Sequence, residues 1–412
     1  MKNTLWSRDY IFTIGINFLI YVVHFQLMLW STSYVLDRWH VGIGTAGLAS
    51  GIFIVGALIA RIPAGRYIDF LGRRRLFLFG TFFFFLLSLL YLAAPGIDSF
   101  MTVRFVHGLA FGAASTAAST IAAALIPVKR MGSGIGYYTL GVTLASAVGP
   151  FVAMYFVNLR DFYASAVISG ALAAVILFLS AAIRVPERAV SAEEREELHH
   201  WSFDAFFARR ALAIAFVAFL GGICYSTVLS YLGAYADALG LSAVGGAYFF
   251  LCFALTSFVS RPLTGYLLDR CGGDIVIYPS LVLLVVSMIT IASAGSNGML
   301  LLGGLLLGAG YGTLTAACHA LSIHCALANQ LGIATSTYFV LLDLGIGVGP
   351  YLLGNLVPAY GFSMVYLAAG TIALFGIHFY YMQLGRTGRF SAERMEREKE
   401  EKLRLTVKEI KN

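Results

Sequence analysis

The chain has 412 residues, of which 59% are hydrophobic and only 12% are charged. A soluble protein of this length would need far more charge to cover its surface, so the composition excludes an ordinary soluble enzyme. The formal net charge of +7 does not indicate a nucleic-acid partner, because the basic residues are concentrated in alternate loops between apolar segments.

The apolar residues form blocks of about 20 residues, the length that crosses a hydrocarbon core as a helix. Lipid offers no hydrogen-bond partner to free backbone groups, so these blocks must be helical. The sequence predicts twelve spans, six in each half, over residues 11–35, 43–65, 76–95, 98–126, 134–158, 161–184, 211–236, 243–268, 275–294, 298–327, 332–358 and 361–384.

Polar segments divide these spans into larger units. The prediction is an all-α membrane protein with an N-terminal six-helix bundle over 1–184 and a C-terminal six-helix bundle over 211–384. A linker over 185–210 joins the bundles, and a charged tail follows over 385–412. Basic residues occur mainly in the linker, the tail and the loops on the same side. The positive-inside rule therefore predicts a multi-pass protein of the plasma membrane, with both termini in the cytoplasm and lipid as a partner.

Identical residues recur at a spacing of 200 positions. The recurring residues include Arg61 and Arg261, Gly65 and Gly265, Asp69 and Asp269, Tyr138 and Tyr338, and Gly149-Pro150 and Gly349-Pro350. A constant offset indicates two pseudo-symmetric halves joined in tandem. In a strongly apolar chain, such halves are typical of secondary transporters.

The chain lacks the sequence patterns of several other classes of protein. It has no phosphate-binding loop and no paired-carboxylate or zinc-protease pattern, so no enzymatic activity is predicted. Its five cysteines show no metal-ligand spacing, so we predict no metal site and no cofactor. We predict a monomer, with a small-molecule substrate and protons as its partners.

A loop motif follows span two and recurs after span eight. The two copies are Gly65-x-x-x-Asp69-x-x-Gly72-Arg73-Arg74 and Gly265-x-x-x-Asp269-Arg270-x-Gly272. They resemble the cytoplasmic loop signature of the major facilitator superfamily. Glycine permits close helix approach, and a carboxylate is stabilised at a helix N-terminus. The resemblance implies that Asp69 latches the halves together at the start of span eleven. The second copy lacks the arginine cluster, so we expect its latch to be weaker.

Span five contains small residues at intervals of four, in the pattern Gly141-x-x-x-Ala145-x-x-x-Gly149-Pro150. This spacing lets two helices approach closely, and the proline bends the helix. The pattern resembles the motif associated with antiporters of the same superfamily, which implies export. Tight packing without directional meaning is the alternative.

Asp343 is the one acidic residue in the middle of a predicted span. A carboxylate at that depth is costly unless it faces a wet cavity or a partner, so it is a candidate for proton coupling or substrate contact. A structural hydrogen bond to a neighbouring helix is the alternative.

Polar and aromatic residues share faces of several spans. Candidate cavity residues are Asn17, Tyr21 and His24 on span one, Arg104, His107 and Phe111 on span four, Tyr231 on span seven, and Tyr311 and Thr315 on span ten. The resemblance implies that spans one and four line the cavity of the first half. A basic cluster there would suit an anionic group, and His24 or His107 would titrate with Asp343. A hydrogen bond from either histidine to a backbone carbonyl is the alternative.

These residues lead to a functional hypothesis. The chain is expected to be a proton-coupled secondary active transporter of the major facilitator type that works by alternating access. Export of a small amphipathic anionic or zwitterionic organic compound is the first hypothesis. Proton symport that takes up a small carboxylate-type metabolite is the second.

Overall fold

The computed structural model describes residues 5–41, 43–158, 161–188, 190–191, 196, 202–241, 243–326, 328–398 and 400. In this part of the chain, twelve helices are long and apolar enough to cross a membrane, as predicted. They are α1 (Arg8–Trp39), α2 (Ile43–Leu71), α3 (Arg73–Leu90), α4 (Ile97–Leu125), α5 (Met131–Asn158), α6 (Phe162–Ala182), α7 (Arg209–Ala238), α8 (Ala243–Cys271), α9 (Asp274–Ala292), α10 (Asn297–His324), α11 (Leu331–Gly354) and α12 (Val357–Tyr380).

Local backbone geometry explains where several helices begin and end. Gly72 and Gly272 have φ angles of 90° and 84°, a conformation that favours glycine, and they separate α2 from α3 and α8 from α9. In α10, a π-helical turn over Gly308–Gly312 joins the stretches Asn297–Leu307 and Thr313–His324. Such turns are frequent at functional sites. Helix α12 begins four residues before its predicted start at 361, and Gly361 interrupts it with a φ of 76°.

Each half is a six-helix bundle with the same pattern of neighbours. In the first half α1 packs on α5 and α2 packs on α4, and in the second half α7 packs on α11 and α8 packs on α10. A buried hydrophobic cluster fills the first half between Ile16 and Ile183. A second cluster fills the other half and includes several residues from α4 and α5. The matching neighbours give the repeat of 200 residues its structural meaning.

Helix α1 begins and helix α12 ends on the same side of the bundle, which we call the terminal end. The backbone N–H of Arg184 donates to the Asp9 carboxylate there at 3.0 Å. The Tyr380 hydroxyl donates to the Asp274 carboxylate at 2.6 Å. The two halves meet at this end through α2 against α11 and α5 against α8.

The segments outside the spans pack against the terminal end where the structure describes them. The predicted linker over 185–210 and the predicted tail over 385–412 lie partly outside the described residues. The backbone N–H of Gly273 donates to the carbonyl of Phe390 at 2.8 Å, and Phe390 is buried. Glu398 contacts His324 at 3.1 Å, and the hydrogen bond from His324 lowers the pKa of Glu398. The first part of the tail is therefore docked on the second half.

Candidate functional site

A cavity of about 170 Å³ lies between the two halves. Helices α1, α2, α4 and α5 form one wall, and α7, α8, α10 and α11 form the other. The halves are in contact below it at the terminal end, where the Ser119 hydroxyl and the His319 ring nitrogen of the opposite half lie 3.0 Å apart. The cavity extends from this level toward the opposite end, past Met28, Ser146 and Ile346.

An ion pair between the halves lies in the wall of the cavity. The Arg61 Nε of α2 donates to the Asp343 Oδ2 of α11 at 2.9 Å. The Arg61 side chain is 1% exposed and the Asp343 side chain is 19% exposed. Arg61 also donates to the Ser115 hydroxyl at 3.0 Å, and its guanidinium lies over the rings of Phe111 and Phe339, 5.5 and 4.5 Å from their centroids. Asp343 thus has a charged partner that depends on the relative position of the two halves.

Three of the predicted first-half residues, Tyr21, His24 and Phe111, lie on the cavity wall. The imidazole of His24 stacks on Phe111 with 4.7 Å between ring centroids and lies 5.0 Å from the ring of Phe53. His24 is buried, and its Nδ1 has no hydrogen-bond partner among the described residues. This imidazole therefore has a nitrogen available for a hydrogen bond with a bound molecule.

The second half contributes an aromatic wall to the cavity. Tyr311 and Thr315, both predicted, line it. The ring of Tyr311 stacks on Tyr225 at 4.3 Å, and Tyr225 stacks on Phe253 at 5.4 Å. The π-helical turn contains Tyr311, so this local change in helix geometry positions a cavity residue. Stacked rings of this kind suit the apolar body of an amphipathic compound.

Arg104 and His107 do not line the cavity, contrary to the expectation from the sequence. The Arg104 Nε donates to the carbonyl of Ala49 at 2.7 Å, and its Nη1 donates to the Tyr91 hydroxyl at 3.3 Å. His107 Nδ1 lies 2.6 Å from the same hydroxyl. At this level α4 packs between α2 and α3, and α4 reaches the cavity only further along, at Phe111. Arg104, His107 and Phe111 follow one face of α4, and that face meets two different environments.

The position of Arg104 leads to a specific prediction. Arg104→Ala should lower the free energy of unfolding by about 3 kcal/mol, because it removes a buried side chain together with its hydrogen bonds to the Ala49 carbonyl and the Tyr91 hydroxyl. Ligand affinity should stay unchanged. Thermal unfolding and ligand titration of the purified variant would check both results. Lost affinity at unchanged stability would instead assign Arg104 to substrate contact.

Asn17 and Tyr231 also lie away from the cavity. The Tyr138 hydroxyl donates to the Asn17 Oδ1 at 2.8 Å between α1 and α5. The Tyr231 hydroxyl donates to the carbonyl of Pro350 at 2.7 Å between α7 and α11. Both side chains therefore connect helices within one half. A polar side chain in a membrane helix can hydrogen-bond to a neighbouring helix instead of lining a cavity.

The two copies of the loop motif behave differently from the expectation. Asp269 crosses to the first half, where its carboxylate accepts from the backbone N–H groups of Gly132 and Ser133 at 2.8 and 2.9 Å. These groups lie at the positive N-terminus of α5. Asp69 instead pairs with Arg73 of its own half at 2.6 Å. Among the described contacts, the copy expected to be weaker is therefore the one whose carboxylate bonds to the other half, whereas the Asp69 carboxylate pairs with Arg73.

The arginines of the motif bind within their own halves. The backbone N–H groups of Arg73 and Arg74 donate to the Glu187 carboxylate, each at 2.8 Å. The Arg270 guanidinium lies 4.7 Å from the ring centroid of Tyr266. The described contacts of the arginine cluster thus fix the start of the linker.

The glycines of the motif set the contact between the halves. A methyl group on Gly65 would collide with Ser336 and lie 2.8 Å from the carbonyl of Gly332. A methyl group on Gly265 would lie 2.6 Å from the Cα of Ser133. Both helix pairs therefore approach at a distance that only glycine allows.

The small residues of α5 pack inside the first half. A methyl group on Gly149 would lie 2.7 Å from Phe25 and 2.8 Å from the carbonyl of Val22, both on α1. Gly141 faces Phe18 of the same helix, and Ala145 is fully buried. Gly349 packs on Ile223 of α7 in the equivalent way. Pro150 and Pro350 lie inside α5 and α11. The motif holds the pairs α1–α5 and α7–α11 together.

Two matching six-helix bundles around a central cavity define the architecture of a secondary transporter. The chain belongs to the Major Facilitator Superfamily, whose family model matches residues 12–273 and 248–411. Its relatives are transporters and not enzymes, and the protein is accordingly a multi-pass membrane transporter for a small-molecule substrate.

Individual proteins show the same relationship. The uncharacterised MFS-type transporter YhhS of Escherichia coli K12 is 26% identical over 356 residues, which cover 83% of this chain and 84% of that protein. Multidrug resistance protein 2 of Bacillus subtilis is 23% identical over 246 residues, covering 56% and 60%. The transporter FucP in its outward conformation superposes with a TM-score of 0.72 at 16% identity, over 92% of this chain and 99% of FucP. The human organic anion transporter MFSD10 gives 0.71 at 15% identity, over 90% and 100%. At these identities the two structures show the shared fold.

Proposed function

We propose that the protein is a proton-coupled transporter of the plasma membrane that exports a small amphipathic zwitterionic or anionic organic compound by alternating access. The ion pair between Arg61 and Asp343 carries this proposal, since it joins the two halves in the wall of the cavity. Protonation of Asp343 would turn the ion pair into a weaker hydrogen bond and so change the relative stability of the closed and open arrangements.

The positive-inside rule supports a cytoplasmic location for the terminal end and both termini. In that orientation the cavity extends toward the outside, and the contacts of α2 with α11 and of α5 with α8 close the cytoplasmic side. The opposite arrangement would require these contacts to open.

Export by antiport suits a zwitterion. Its cationic group and a proton would compete for the Asp343 carboxylate, and competition for one site is what exchange requires. The resemblance of the α5 motif to that of antiporters supports the same direction, and the YhhS relative leaves the direction open.

Proton symport of a carboxylate is the second candidate. The ion pair of Arg61 with Asp343 favours symport over antiport for an anion that carries no cationic group. A proton on Asp343 would release Arg61, which then binds the anion, so proton and substrate would bind together.

Inside-out membrane vesicles distinguish the two modes. A substrate found by its thermal stabilisation of the purified protein is added outside the vesicles, and the pH of the lumen is followed with a fluorescent dye. Antiport makes the lumen more alkaline, and symport makes it more acidic. Substrate entry without any pH change would contradict proton coupling.

A further inference from the structure

Arg261 occupies the place in the second half that Arg61 occupies in the first. The two arginines are separated by the repeat of 200 residues. The Ser336 hydroxyl of α11 donates to the carbonyl of Arg61 at 2.7 Å. In the equivalent contact of α5 with α8, a methyl group on Gly136 would lie 3.2 Å from the carbonyl of Arg261. Each arginine is thus held beside the equivalent turn of a helix from the other half, which is α11 for Arg61 and α5 for Arg261.

The partner of Arg61 has no counterpart for Arg261. Asp343 follows Ser336 by two helical turns, and the residue at the same distance after Gly136 is Thr143. Thr143 lines the cavity, as Asp343 does, but it carries no charge. The repeat therefore preserves the cation on α8 and replaces the carboxylate that would pair with it.

The Arg261 guanidinium is buried in the cavity wall, and no acidic side chain pairs with it among the residues that the structure describes. Arg261 is 6% exposed, and its Nε and Nη1 have no hydrogen-bond partner among the described residues. The titratable groups that interact with it electrostatically are the phenols of Tyr225, Tyr311 and Tyr338 and the imidazole of His319. A buried guanidinium without an anion is costly in a membrane protein, so its retention needs a compensating ligand.

We propose that Arg261 binds the oxyanion group of the transported compound. The oxyanion lies beside Arg261 in the way that the Asp343 carboxylate lies beside Arg61. The stacked rings of Tyr225 and Tyr311 then hold the apolar body of the compound. The substrate class is a single-ring or similarly small organic carboxylate or sulfonate, with or without a cationic group directed at Asp343. This inference rests on the proposed function only in treating the cavity as the transport site.

Binding to the purified full-length protein tests the inference without any transport. The probes are benzoate and benzenesulfonate, with benzamide and benzenesulfonamide as uncharged compounds of nearly the same shape. The two anions should raise the midpoint of thermal unfolding of the wild type in a saturable way, and the amides should not. No stabilisation by either anion, or equal stabilisation by the amides, would overturn the assignment.

Variants locate the site. Arg261→Gln should weaken apparent affinity for the anions at least tenfold, and Arg261→Lys should weaken it less because the charge remains. Thr143→Asp places a carboxylate where the repeat predicts one, so it should pair with Arg261 and also weaken anion binding at least tenfold. Asparagine has the shape of aspartate without its charge, so Thr143→Asn should bind the two anions more tightly than Thr143→Asp does. Equal affinities of the Asp and Asn variants, or wild-type affinity in Arg261→Gln, would overturn the proposal.

Proton coupling and anion binding by Arg261 can be tested separately. A protein that binds these anions through Arg261 but moves no protons keeps this inference and loses proton coupling. A protein that exchanges protons for a substrate with unchanged affinity in Arg261→Gln keeps the proposed function and loses this site.

Discussion

Asp343→Asn should reduce proton-driven accumulation of substrate at least tenfold while downhill exchange continues. Asparagine retains the shape of the side chain, but it cannot gain or release a proton. Arg61 then has no charged partner in either arrangement of the halves, so the proton gradient no longer biases their equilibrium. Accumulation in energised inside-out vesicles, compared with substrate exchange in vesicles without a gradient, measures the two activities.

A double variant provides the control for this experiment. Removing one member of a buried ion pair costs about 3–5 kcal/mol, because the remaining charge stays unpaired. Arg61→Gln combined with Asp343→Asn removes both charges and should recover part of that stability without recovering accumulation. If Asp343→Asn accumulates substrate at the wild-type rate, Asp343 does not couple transport to protons.

Gly65→Leu should abolish transport because it prevents the terminal end from closing. The added side chain would collide with Ser336 and the carbonyl of Gly332, which are fixed parts of α11. Initial rates of substrate uptake in vesicles should fall more than tenfold. The folded protein should persist, since position 65 belongs to neither of the two buried hydrophobic clusters.

Gly51→Leu is the matched control on the same helix. Nothing lies within 4 Å of a methyl group placed on Gly51, near the other end of α2. This variant should transport at close to the wild-type rate. Wild-type transport by Gly65→Leu would show that the contact of α2 with α11 does not need to close during the cycle.

The fold was predictable because its signals are strong and local. Twelve apolar blocks and a constant offset of 200 residues require two equivalent helical halves in a membrane. The depth of Asp343 was also readable, since it follows from counting residues along one helix. These properties do not depend on how helices pack against each other.

The partners of individual side chains were less predictable, because they depend on packing. Arg104 and Phe111 share a face of α4, but α2 and α3 enclose that face at Arg104 and leave it open at Phe111. Arg61 was not predicted as a site residue. A charged residue inside span two, repeated as Arg261, was the available signal. Among the described contacts, Asp269 bonds to the other half, whereas Asp69 pairs with Arg73 of its own half. Which carboxylate an arginine engages depends on the folded arrangement.

We expect the two halves to rock about the cavity and to open its ends alternately. Distances between paired spin labels measure this directly, with one pair at the terminal end on Lys129 and Arg270 and one at the opposite end on Asp37 and Leu239. All four residues are exposed, and each pair spans the two halves. When Gly65→Leu is introduced, the distance at the terminal end should lengthen and the distance at the opposite end should shorten. Unchanged distances, or changes of the same sign at both ends, would contradict the account.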